Sequence, residues 1–230
     1  MNTQSQNIKS MTIIRSGLHR PNWICRNVHQ NVVLVRDASG SMNGQKANDA
    51  SAASLDLVAE LAQPINKDGF NVAVVDFSET SKIVHAMGKA TEANGKIAAL
   101  STNSFGGSTN ITSGLENALL ILDTPYDQSN EGISYLRPVV ILFTDGCHNE
   151  GPPPNAIADR LKQKADLVTV AFGDDADEDL MRKLATSLQH FYRCATGRDL
   201  RSFLAAVGAT MTATMAAGTN ATRALGTINQ

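Results

Sequence analysis

Five side chains of this sequence carry oxygen atoms at points where a strand or a loop is expected to give way to a helix. Two are carboxylates and three are hydroxyls, and they come from three separate stretches of the chain: Asp37, Ser39, Ser41, Thr109 and Asp145. Such oxygens are hard ligands, which suit Mg²⁺, Mn²⁺ or Ca²⁺ better than zinc. The residue types therefore predict a site for a divalent cation.

The neighbours of these residues predict that the five side chains meet. Asp37 follows the apolar run 32–35, and Asp145 follows the apolar run 139–143. Thr109 ends the stretch Gly106-Gly107-Ser108-Thr109, which precedes a helical pattern. In an open α/β sheet, the loops at the carboxyl ends of the parallel strands converge at one edge. We expect the cation site at that edge.

The charge of the site predicts binding. Two carboxylates and three neutral hydroxyls leave a dication electron-poor, with a coordination position that water fills. A carboxylate is a better ligand than water for such an ion. We therefore expect a protein partner that supplies a Glu or Asp to the metal.

Strand and helix patterns alternate along residues 31–211. Residues 111–122 carry apolar side chains at three- and four-residue spacing, which is typical of a helix. Residues 70–77 and 82–87 indicate two strands of an antiparallel edge hairpin. The alternation predicts a Rossmann-like, doubly wound α/β fold, with helices on both faces of a mostly parallel sheet of about six strands and one antiparallel edge strand.

The two ends of the chain lack this alternation. Residues 1–30 show no clear period and are expected to form an N-terminal extension. Residues 212–230 consist largely of Ala, Thr, Gly and Asn, which predicts a flexible C-terminal tail. The α/β domain is expected to span residues 31–211.

Composition argues against several classes of function. The chain has 230 residues and a net charge of −2, without a basic run, so nucleic-acid binding has no electrostatic footprint. The apolar runs are far shorter than the ~20 residues of a membrane span. Three widely spaced cysteines and the lack of a signal-peptide pattern favour reduced thiols and a cytoplasmic location.

Three motifs carry a resemblance to a known family: Asp37-Ala-Ser39-Gly-Ser41-Met42, Gly107-Ser-Thr109-Asn and Phe143-Thr-Asp145-Gly146. In order and spacing they resemble the metal-ion-dependent adhesion site of von Willebrand factor A domains. The resemblance covers roughly residues 28–210. It implies that Asp37, Ser39, Ser41 and Thr109 bind the ion directly, and that Asp145 binds directly or through water. It also implies metal-dependent contact with another protein.

Two further segments, residues 168–180 and 195–204, are similar to the bacterial branch of this family associated with tellurium resistance, the TerY type. That resemblance implies a stress-response setting, with a Ser/Thr kinase or phosphatase as the partner.

Enzymatic alternatives find less support in the sequence. Neither a nucleotide-binding P-loop nor a G-x-S-x-G elbow occurs, and we predict that the chain is not an enzyme. One rival is a metal-dependent phosphohydrolase, for which His148 is the nearby candidate base. A second rival is a structural domain that has lost its metal, with Arg36 repelling the ion beside Asp37. Side chains alternate along a strand, so we expect Arg36 to face the helix layer or a loop carboxylate instead.

Overall fold

A computed structural model describes residues 28–102, 107–124, 126 and 133–228. Seven strands within these residues form one sheet. They are β1 (Val28–Asp37), β2 (Phe70–Phe77), β3 (Ser81–Lys89), β4 (Ser134–Tyr135), β5 (Val139–Thr144), β6 (Asp166–Phe172) and β7 (Phe191–Cys194).

Helices connect most of these strands. They are α1 (Gln45–Leu61), α2 (Ala90–Ala93), α3 (Ile111–Asp123), α4 (Asn155–Lys164), α5 (Glu178–Leu184), α6 (Gly197–Ala217) and α7 (Thr222–Leu225). Within the described residues, no helix has the length and apolarity needed to cross a lipid bilayer.

The strand order is β3-β2-β1-β5-β6-β7, with the two-residue β4 beside the start of β1. All neighbouring strands pair in parallel except β3, which runs antiparallel to β2 at the edge. The predicted fold class is thus confirmed, and β4 is an addition that its short length concealed. Because β1 lies between β2 and β5, the strand order reverses there, and the carboxyl ends of β1 and β5 are where an open α/β sheet is expected to bind a ligand.

The sheet separates two apolar layers. On one face, Val32 and Leu34 of β1 pack in a core that includes side chains of α1 and α6. On the other face, Val33 and Val35 pack in a core that includes side chains of α3, α4 and α5. Strands buried on both faces favour apolar residues at most positions, which explains the continuous runs in the sequence.

Both ends of the domain differ from expectation. Strand β1 begins at Val28 and not at residue 31, while residues 1–27 of the expected N-terminal extension lie outside the described residues. Helix α6 continues to Ala217, and Leu225 of α7 is fully buried, where we expected a flexible tail from residue 212. Sequence periodicity missed this packing because the few large apolar side chains stand among many Ala and Thr residues.

Candidate metal centre

Asp37 ends strand β1 with a fully buried carboxylate. Its Oδ1 accepts a hydrogen bond from the backbone N–H of Ser39 at 2.7 Å, and its Oδ2 accepts one from the hydroxyl of Thr144. Burial raises the pKa of Asp37 to about 6, although these hydrogen bonds oppose the rise. The protein alone therefore compensates this anion incompletely, and a bound cation would complete the compensation.

The two serine hydroxyls extend from Asp37 toward solvent. The Oγ atoms of Ser39 and Ser41 lie 3.0 Å apart, and Ser41 Oγ donates to Asp145 Oδ1 at 2.6 Å. Ser39 is buried, whereas Ser41 is exposed in the 3₁₀ turn Gly40–Met42. Since the Ser41 proton points to Asp145, Ser39 is the donor to Ser41 Oγ, and one lone pair of the Ser41 oxygen stays available to a cation.

Thr109 is held by the loop that follows β5. Its backbone N–H donates to Asn149 Oδ1 at 2.8 Å, and the Asn149 N–H donates back to the Thr109 carbonyl at 3.1 Å. The backbone N–H of Gly40 donates to the Gly107 carbonyl at 3.4 Å. This bond ties the loop before α3, which contains Thr109, to the turn that carries the two serines. Thr109 is 3% exposed and is therefore buried at this site.

Gly146 shows that the hydroxyls converge. A Cβ atom at this position would lie 3.1 Å from Thr109 Oγ1 and 3.6 Å from Ser41 Oγ. The missing side chain leaves a small space beside Asp145 that both hydroxyls face. The structure therefore brings Thr109 next to the hydrogen-bonded series of Asp37, Ser39, Ser41 and Asp145, and all five predicted residues meet at one edge of the sheet.

This oxygen set fits a hard dication. Among the described residues, no three His, Cys, Asp or Glu side chains gather where they could hold a metal. A metal at the strand ends would depend on Ser and Thr hydroxyls as well as the two carboxylates, as the residue types predicted.

Lys46 is a member of this site that sequence analysis missed. From the first turn of α1, its Nζ lies 2.5 Å from Asp145 Oδ2, and its side chain is 33% exposed. A basic residue in the first turn of a helix is unfavourable toward the helix dipole, which is the signal that could have drawn attention to it. The contact itself depends on tertiary structure because 99 residues separate the pair.

Arg36 does not oppose a cation at the neighbouring Asp37. Its guanidinium is fully buried and donates two hydrogen bonds to Asp76, at 2.6 and 2.9 Å, and a third to the Ala98 carbonyl at 3.1 Å. Strand alternation turns Arg36 away from Asp37, as expected. The carboxylate that pairs with it lies on strand β2, however, and not on a loop.

His148 supports the start of helix α3. The backbone N–H of Ile111 donates to its Nδ1 at 3.2 Å, and its Nε2 is buried with no hydrogen-bond partner among the described residues. A neutral imidazole has a single acceptor nitrogen, and here that nitrogen is occupied by the helix.

Comparison with known sequences identifies relatives of the domain. The family model of the von Willebrand factor type A domain matches residues 31–206. Human inter-alpha-trypsin inhibitor heavy chain H6 is 32% identical over 168 residues, covering 69% of this chain. Heavy chain H1 of Mesocricetus auratus is 28% identical over 159 residues, covering 66% of this chain. The chain spans 12% and 17% of these relatives' lengths, respectively.

Solved structures share the fold. Proximal thread matrix protein 1 of the mussel byssus, with zinc in its metal-ion-dependent adhesion site motif, superposes with a TM-score of 0.65 at 22% identity, covering 81% of this chain and 46% of that one. The von Willebrand factor domain of the pilus tip protein Mfa5 from Porphyromonas gingivalis gives 0.66 at 15% identity, covering 82% and 97%.

Proposed function

The chain belongs to the von Willebrand factor type A domain family, and from that premise we propose that it binds an acidic residue of a partner protein through a divalent cation. The observation that carries the proposal is the hydrogen-bonded series from Ser39 through Ser41 to Asp145, with the Thr109 hydroxyl beside it. In this series Ser39 donates to Ser41 and Ser41 donates to Asp145, which leaves lone pairs of the two serine oxygens for a cation.

The proposed ligands are the buried Asp37 and Ser39, the exposed Ser41, and Thr109. Asp145 binds the ion directly or through water, because hydrogen bonds from Ser41 and Lys46 already engage its two oxygens. Mg²⁺ or Mn²⁺ is the proposed ion, with Ca²⁺ as the other hard candidate. The cation would supply Lewis acidity toward an anionic ligand arriving from the solvent side at Ser41.

Partner binding explains the arrangement better than phosphoester hydrolysis does. A hydrolase needs a general base within hydrogen-bond reach of the attacking water. The acceptor nitrogen of His148 instead receives the Ile111 N–H, and its other nitrogen is buried. Taking up a proton would therefore cost His148 its contact with helix α3. This chemistry supports a non-enzymatic role.

The setting that we propose follows from the resemblance to the tellurium-resistance branch. It comprises a bacterial stress response, a Ser/Thr kinase or phosphatase as the partner, and the cytoplasm as the compartment. Cys147 and Cys194 are free thiols in the described part of the chain, which is compatible with a reducing compartment. A pull-down from native lysate, with Mg²⁺ in one arm and a chelator in the other, tests this setting.

Calorimetric titration of Mg²⁺ and Mn²⁺ tests the metal site. Asp37→Ala is expected to weaken binding by about 100-fold or more, since it removes a ligand and not merely an outer contact. Asp159→Ala is the matched control, because Asp159 is exposed on α4 and should leave affinity unchanged. Equal affinity of Asp37→Ala and the wild-type protein would place the metal elsewhere. Circular dichroism of each variant verifies that the fold persists.

A further inference from the structure

Lys46 provides a positive charge inside the proposed metal site. Its ammonium contacts Asp145 Oδ2 at 2.5 Å, while Ser41 occupies Asp145 Oδ1 at 2.6 Å. The carboxylate of Asp145 is fully buried, so this ion pair is screened by water from the lysine side alone. The pair is therefore stronger than an ordinary surface ion pair.

The end of strand β6 makes room for this lysine. A Cβ atom on Gly173 would lie 3.4 Å from Lys46 Nζ and 3.5 Å from its Cε, so the side chain crosses directly over this glycine. Gly173 has φ of +87°, a conformation that side-chain-bearing residues rarely adopt. Nearby, Asp174 pairs with Arg193 at 2.8 Å. Asp174 is therefore engaged by Arg193, and the ionic partner of Lys46 is Asp145.

Lys46 changes the charge that a bound cation experiences. The carboxylates of Asp37 and Asp145 together would neutralise a dication. With the ammonium of Lys46 paired to Asp145, the site carries one negative charge, and a bound dication retains one positive charge. The same ammonium repels the incoming metal over a short distance in a partly buried setting. Metal affinity falls, while attraction for an anion rises.

We propose that Lys46 is a built-in counter-cation that weakens metal binding and strengthens the binding of a partner carboxylate. The inference rests on the proposed function, and it adds that the charge of Lys46 regulates how tightly the metal and the partner bind. A site of this design holds its metal loosely until an acidic residue arrives and supplies the missing negative charge, so that metal and partner bind cooperatively.

Calorimetry with Mn²⁺ alone tests the first half of the proposal. Lys46→Gln is expected to bind Mn²⁺ about tenfold more tightly than the wild-type protein, because the repulsion is lost. Lys46→Arg keeps the charge and should remain near wild type. Lys162→Gln is the matched control, since it removes an equal charge from a similarly half-buried lysine that pairs with Asp159 on α4.

Acetate serves as the carboxylate probe for the second half. Proton relaxation of water at the Mn²⁺-loaded protein reports acetate binding, and Lys46→Gln should need about three times more acetate than wild type for half-saturation. In chelator, thermal unfolding gives a metal-free readout. Lys46→Gln should unfold at a lower temperature than Lys162→Gln, because the buried Asp145 loses its cation.

The outcomes separate the inference from the proposed function. If Asp37→Ala abolishes Mn²⁺ binding but Lys46→Gln matches wild type or binds more weakly, the counter-cation role is wrong and the metal site stands. Unchanged or improved acetate binding by Lys46→Gln would likewise overturn it. If neither wild type nor Lys46→Gln binds Mn²⁺, both the proposed function and the inference fail.

Discussion

Arg36 and Asp76 illustrate how single residues constrain this site. They form a bidentate ion pair between β1 and β2, next to Asp37 in the sequence, with side chains 0% and 3% exposed. Burial raises the pKa of Asp76, and the charge and hydrogen bonds of Arg36 oppose that rise. Arg36 also bonds the Ala98 carbonyl in the segment between α2 and α3. The pair therefore links strands β1 and β2 to the part of the chain that leads toward Thr109.

Removing one member of this pair should be costly. Asp76→Leu leaves the Arg36 guanidinium buried and unpaired, and we expect a loss of about 3–5 kcal/mol in the free energy of unfolding. Urea denaturation measures the loss. The double variant Arg36→Met with Asp76→Leu should recover much of it, since neither charge then remains. A double variant as unstable as the single one would show that packing, and not charge, dominates there.

At the scale of elements, the site depends on loops that hold one another. The turn after β1, the loop before α3 and the loop after β5 are joined by hydrogen bonds. Those bonds involve the backbone of Gly40, Gly107 and Thr109 and both the backbone and the side chain of Asn149. Hydrogen bonds between the loops therefore help to fix their positions relative to one another. Metal affinity should accordingly respond to small changes in the space between these loops.

Gly146 provides the test at this scale. Gly146→Ala places a Cβ atom 3.1 Å from Thr109 Oγ1, and the hydroxyl must shift by a few tenths of an ångström. We expect about a tenfold loss of Mg²⁺ affinity with little change in stability, measured by calorimetry and urea denaturation. Gly107→Ala is the control because its added methyl meets open space. Equal affinities for the two variants would contradict a role for this close approach.

At the scale of the whole molecule, the C-terminal helices α6 and α7 cover one side of the core. Helix α6 crosses the sheet face beside α1, and α7 then returns to the starts of β6 and β7. Thr222 donates to Asp166 at 2.5 Å, and the Tyr192 hydroxyl donates to the Leu225 carbonyl. The residues after 217 thus contribute to the fold at the opposite end of the strands from the proposed metal site.

Leu225→Ala should therefore destabilise the protein although it lies only a few residues from the end of the chain. Deleting a fully buried leucine side chain costs about 2–5 kcal/mol in the free energy of unfolding. Leu188→Ala is the matched control, since Leu188 is 74% exposed and should change stability by less than about 0.5 kcal/mol. Urea denaturation compares them, and similar midpoints would show that α7 adds no stability.

Sequence alone predicted the fold class and the five oxygen-bearing residues of the proposed metal site, without Lys46. Continuous apolar runs such as residues 139–143 are typical of strands buried on both faces. The local sequence of each such strand therefore indicates a parallel sheet. Asp37 and Asp145 each stand two residues after the end of such a run, and the rule that strand ends converge places them together. Both inferences depend only on the order of residue types along the chain.

Contacts between side chains from distant segments could not be predicted from the sequence, because they form only when those segments pack together. Lys46 pairs with Asp145 although 99 residues separate them. Arg36 pairs with Asp76 at a separation of 40 residues, where the sequence predicted the helix layer or a loop carboxylate. The burial of Leu225 likewise comes from the core that receives it and not from any period in its own segment. The periodicity of a segment shows which of its faces is buried. Which side chains of two segments contact each other depends on how those segments pack.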